Sequence, residues 1–147
     1  MRPTRYLSCL LVSLFLVNGS AFAQSSNPSE RLKKHINKMV EKVEEAPTPQ
    51  DKRTILNDSF DDLITAFERV EGMEAISQQD RQAVALLKKN ISEKKKELNG
   101  MDGYARIKDN RLNQFANFVQ QDLEQADDTI TISLTVALLI VIILLLL

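Results

Sequence analysis

The sequence predicts an all-α protein: a small antiparallel bundle of about four helices, preceded by a signal peptide and followed by a single C-terminal transmembrane helix. Three observations predict this. Apolar residues recur at helical spacing in four central segments. No alternating run of β-branched residues occurs, and no Asn-Gly or Asp-Gly joins two such runs. Both ends are greasy, whereas everything between them is highly charged.

Residues 1–23 read as a secretory signal, with Arg2 and Arg5 ahead of an apolar run from Tyr6 to Val17, then Ala21-Phe22-Ala23 as a cleavage site before Gln24. Cys9 lies inside this segment, so the processed chain is expected to carry no cysteine, which excludes disulfide and thiolate chemistry.

Residues 24–129 are expected to form one extracytoplasmic helical domain, large enough for a modest core and too small for two. The first segment, about Pro28 to Glu45, has Asn27 as a cap, Pro28 in the first turn and Leu32, Ile36, Met39, Val40 and Val43 as its apolar positions. Ala46-Pro47-Thr48-Pro49 reads as a stiff connector.

The second segment, about Asp51 to Val70, carries Leu56, Phe60, Leu63, Phe67 and Val70 in a heptad-like, coiled-coil-type stripe. The third starts at Ser77, which caps toward Asp80. It carries Val84, Leu87, Ile91 and Leu98, with a gap in the seam at Lys94, and stops at Gly100. The fourth begins near Asp109 or Asn110 and presents Leu112, Phe115, Val119 and Leu123, with Phe118 beside them. Asp127-Asp128-Thr129 then separates it from the C-terminal span.

Charge alternates along these segments: +1 over 24–50, −5 over 51–80, +4 over 81–98 and −3 over 99–129. Opposite signs on neighbouring helices select an arrangement, but each exposed pair contributes only up to about 1 kcal/mol. The apolar stripes must hold the bundle.

Residues 130–147 contain no charge, and as a helix would extend about 27 Å, close to the roughly 30 Å of a hydrocarbon core. This predicts a single-pass inner-membrane protein with its domain facing the periplasm, oriented by the N-terminal signal. The alternative is a glycolipid-anchored cell-surface form attached near Ala126, Asp127 or Asp128, although the polar spacer such signals need is short here.

Catalytic candidates are thin. His35 is the lone histidine and sits among Lys33, Lys34 and Lys38, a setting that favours a solvated basic face. Asp58, Asp61 and Asp62 share a helix face, but one face rarely wraps a hard cation. The turn Asn99-Gly100-Met101-Asp102-Gly103 fails a calcium-loop alignment, and no phosphate-loop, dinucleotide or zinc motif occurs. No enzyme activity, cofactor, metal or small-molecule substrate is therefore expected.

The candidate contact residues are Tyr104 and Arg106 on the longest irregular stretch, and the basic run Lys94, Lys95 and Lys96. The plainer readings are that Tyr104 and Ile107 plug the bundle end, and that the lysines form a solvated face complementary to the acidic second segment. Nucleic acid is not expected, since no aromatic residue interleaves the run.

The function these features point to is a non-enzymatic, membrane-tethered periplasmic interaction module that works with a protein partner or a second copy of itself, as an adaptor, assembly factor or self-associating envelope component. The alternative is a small carrier or chaperone holding an apolar ligand or chain among Phe60, Phe67, Phe115 and Phe118.

Overall fold

The computed structural model describes residues 28–147, so the signal peptide over 1–23 and the Asn27 cap lie outside the described residues. Helices account for nearly all of the regular structure and no strand occurs among those residues: α1 is Pro28–Glu45, α2 Pro49–Glu71, α3 Gln78–Asn99, α4 Leu112–Thr129 and α5 Leu134–Leu146, with a 3-10 turn at Asp109–Arg111 leading into α4.

The caps explain most boundaries. Thr48 accepts from the Asp51 amide at 3.1 Å and Pro49 occupies the first helical turn, so α2 begins two residues earlier than its apolar pattern indicates. The expected stiff connector supplies that cap. Ser77 does the same for α3 through the Asp80 amide at 3.0 Å. Gly100 ends α3 in the left-handed region at φ 71°, where its amide and that of Met101 turn back to Glu97 O and Lys96 O.

Helix α2 is the hub and touches α1, α3, α4 and α5. Its stripe of Leu56, Phe60, Leu63, Phe67 and Val70 is completely or almost completely buried. Phe60 meets Phe115 of α4 edge-on, with ring centroids 6.4 Å apart. Ile36, Met39, Val40 and Val43 close the core from α1, Val84, Leu87, Ile91 and Leu98 from α3, and Leu112, Val119 and Leu123 from α4. Burying each large aliphatic or aromatic side chain stabilises by about 1.5–3 kcal/mol, so this shared core outweighs the surface charge pairs.

Side-chain bonds set the directions. Arg53, Asp61 and Glu71 of α2 meet Leu98, Lys95 and Lys88 of α3 in reverse order, so these helices are antiparallel. Likewise Asn117 and Gln120 of α4 reach Glu44 and Asn37 of α1.

The expected membrane-spanning helix over 130–147 is not what forms. Helix α5 has 13 residues, about 20 Å at 1.5 Å per residue, and among the described residues no helix is long and apolar enough to cross a membrane. The reason is local. Ile130 is extended at φ −104°, ψ 98°, and β-branched Ile130, Thr131 and Ile132 favour such backbone. Ser133 then caps a new helix through the Val136 amide. Ile130 and Ile132 pack on the core, and α5 lies against α1 and α2, burying Val136, Ile140, Ile143 and Leu144. The supposed separator 127–129 is the last turn of α4.

Candidate interaction surfaces

The loop over 100–108 carries Tyr104 and Arg106, and it is built as a rigid element. A Cβ on Gly100 would lie 2.7 Å from Arg106 Cβ, so the loop crosses the end of α3 at close range. Asp102 at φ 52° and Gly103 at φ 88° make the turn, and the Tyr104 amide donates to Met101 O at 3.0 Å.

From beneath, the buried Arg53 guanidinium donates to Leu98 O, to Ile107 O at 2.7 Å and to Asp109 Oδ1 at 2.8 Å. That hydrogen bond holds the Asp109 carboxyl below the usual carboxylate range. Leu98 O belongs to the last turn of α3, where carbonyls lack helical partners, so Arg53 also caps that helix.

Ile107 turns inward onto the core, whereas Tyr104 and Met101 are 44% and 51% exposed. Arg106 is exposed and sits 3.9 Å from Asp109. Beside the loop, Ile107, Phe115, Phe118, Arg111, Glu97 and Gln114 line a cleft of about 260 Å3. Phe118 is 45% exposed, under the Lys94 ammonium 4.3 Å from its ring centroid.

The structure brings each lysine of the basic run to an internal partner. Lys94, the gap in the α3 seam, lays its stem inward and lies 3.8 Å from Glu97 and 3.6 Å from Asp122 of α4. Lys95 pairs with Asp61 of α2. Lys96 pairs with Asp102 at 2.8 Å, and that hydrogen bond raises its pKa. The run therefore stitches α3 to α2, α4 and the loop.

A different surface joins α1 to α5. One helical face of α5 carries Leu138, Ile142 and Leu145, 41%, 43% and 74% exposed, and Leu146 and Leu147 continue it to the end. Next to it Glu30, Lys34, His35, Lys38, Val141, Leu144 and Leu145 line a cleft of about 530 Å3. Lys34 and Lys38 are exposed and form no ion pair among the described residues. His35 is half-buried; burial lowers its pKa, Asp62 opposes this, and Lys42 and Lys38 add to it.

The start of α5 is held from α3. Ser77 Oγ donates to Asp80 Oδ2 at 2.8 Å, and the Ser133 amide donates to Asp80 Oδ1 at 2.7 Å. The Ser133 bond is the main cause of a lowered Asp80 pKa, with Ser77 adding to it against burial. One carboxylate thus ties together the first turns of α3 and α5.

Phe60, Phe67 and Phe115 are core side chains, and the space beside Phe67, Ile36, Leu63 and Leu123 is about 30 Å3, room for a water or two. Two devices were missed by sequence reasoning. Arg53 lies three residues before Leu56 and so continues the spacing of the α2 stripe, a signal that marks it as inward-facing. The docking of α5 had no such signal, because a helix apolar on every side announces no face. No protein-family model matches the chain, and no curated protein or solved structure matches it.

Proposed function

We propose that this protein is a non-enzymatic helical interaction module held at a membrane by its C-terminal segment 130–147, with the bundle on the periplasmic side of a bacterial inner membrane. The observation that carries the reading is the uncovered stripe of Leu138, Ile142 and Leu145 running into Leu146 and Leu147. A contiguous apolar strip on so small a bundle marks a surface that another phase or molecule covers. The signal-like residues 1–23 support export, and the charge-free tail supports the tether.

The contact part of the proposal rests on the loop end. Tyr104 and Met101 stand out on a loop pinned by Arg53, and Phe118 rims the adjoining cleft. An aromatic side chain on a rigid support loses little freedom on binding, which suits it to anchor a protein partner.

A photoreactive amino acid at Tyr104 tests this in cells. The reading expects a discrete crosslinked protein band in the membrane fraction, absent when the probe is moved to exposed Gln82 of α3. Equal, diffuse crosslinking from both positions would refute the assigned contact site. The intact mass of the membrane-extracted protein tests processing: a chain starting at Gln24 and retaining Leu147 is expected, whereas a shorter chain bearing an anchor near Asp127 would favour the cell-surface alternative.

A further inference from the structure

We propose that α1 and α5 together form a docking face for an anionic phospholipid surface, on which α5 lies in the membrane plane while still packed on the bundle. The proposal rests on the reading of 130–147 as a membrane tether and specifies how that tether works.

Helix α5 is divided into two faces. Val136, Ile140, Ile143 and Leu144 are committed to the core, and Leu138, Ile142 and Leu145 are left outside. A 13-residue helix is too short to cross a bilayer, but its free face can enter the boundary between headgroups and acyl chains to a depth of roughly 5–10 Å. Because Asp80 holds Ser133 at the near end, the helix can immerse that face without uncovering the core it closes.

Positive charge borders the free face. Arg53 and Lys88, Lys94, Lys95 and Lys96 are each matched by a carboxylate. Lys34 and Lys38 are not, and although Lys42, Arg69, Lys108 and Arg111 also lack an ion pair among the described residues, it is Lys34 and Lys38 that border the same cleft as Val141, Leu144 and Leu145. An apolar face edged by unpaired lysines matches an anionic bilayer, whose headgroups meet the ammonium groups at the level where the acyl chains begin. A second copy fits less well, because a twofold pairing over this face brings the same two lysines to one seam, with Glu30 the sole acid in its cleft.

The test uses the full chain as processed by the cell, sedimented with vesicles of phosphatidylcholine alone or mixed with phosphatidylglycerol. Binding is expected to favour the mixed vesicles, to weaken about thirtyfold in a Lys34→Gln/Lys38→Gln variant, and to lose its preference at high salt. In a Cys9→Ser/Leu147→Cys variant, a membrane-impermeant maleimide added outside should label the vesicle-bound protein, since an in-plane α5 keeps its end on the outer side. Lys34, Lys38 and Leu147 are exposed, so folding should be unaffected.

Equal binding to both vesicle types, with Leu147→Cys protected, would overturn the proposal and leave the tether reading in place, with the segment 130–147 leaving the bundle to insert across the bilayer instead of α5 lying on it. No binding to either vesicle would overturn both readings. Self-association through this face without lipid binding would assign it to a second copy and overturn the proposal.

Discussion

Replacing Arg53 by Met keeps the stem volume and removes the guanidinium, which isolates what that group holds. Two backbone carbonyls, Leu98 O in a buried setting and Ile107 O in a half-buried one, lose their donor. Leaving each unsatisfied costs about 1–1.5 kcal/mol, taking the low end of the desolvation range. Asp109 loses its partner as well, but its side chain is 54% exposed, so water replaces most of that contact.

The expected total for Arg53→Met is about 2–3 kcal/mol. At about 4 °C per kcal/mol for a bundle of about 120 residues, Tm should fall by roughly 8–12 °C in a far-UV circular dichroism melt. Amide exchange should accelerate first over residues 100–108, because that loop loses its anchor before the core opens. Asp109→Asn is the control and should melt close to wild type, because water takes over an exposed contact. If Arg53→Met melted with wild type, or if both variants lost equal stability, the account of Arg53 as the pin beneath the loop would be wrong.

Other consequences are equally concrete. Gly100→Ala should cost about 1–3 kcal/mol in chemical denaturation, since the position is left-handed and the new methyl would meet Arg106 Cβ at 2.7 Å. Phe60→Ala should cost about 3–5 kcal/mol and Phe118→Ala under about 1 kcal/mol, because the first ring is wholly buried and the second is 45% exposed; equal losses would contradict the core described. Asp80 has a folded pKa below its ordinary 3.8, so its bond to Ser133 contributes stability at neutral pH that is lost as pH falls below 3.8 through the folded value. Limited proteolysis between α4 and α5 should therefore rise in that acid window, and Asp80→Asn should raise it already at neutral pH.

How far the sequence was legible follows from which physics each feature obeys. The helices of the bundle were readable because each has apolar residues at helical spacing and most have a chemical stop signal, as Ser77 and Gly100 show for α3. Charge alternation anticipated the Lys95–Asp61 pair, and the gap at Lys94 turned out to be a lysine whose stem packs while its ammonium reaches Asp122. The loop residues divided: Ile107 plugs the bundle end and Tyr104 stays out. Two things escaped. The fate of 130–147 depends on a choice between lipid and bundle that hydropathy cannot make, and the break at Ile130 to Ser133 is set by β-branched backbone preference and a cap within an otherwise greasy run. Arg53 escaped because a charged residue reads as solvent-facing unless the stripe is extended back to it.

The measurement that tests the central claim most directly is fractionation of wild type against Ile142→Arg at physiological salt. Ile142 is 43% exposed on the free face of α5, so the docked bundle should tolerate the change and melt within about 0.5 kcal/mol of wild type. Wild type is expected in the membrane pellet and Ile142→Arg in the soluble fraction, because a charge in that face opposes its entry into lipid. Wild type in the soluble fraction, or a variant that remains wholly in the pellet with wild type, would contradict the assignment of this apolar face to a membrane.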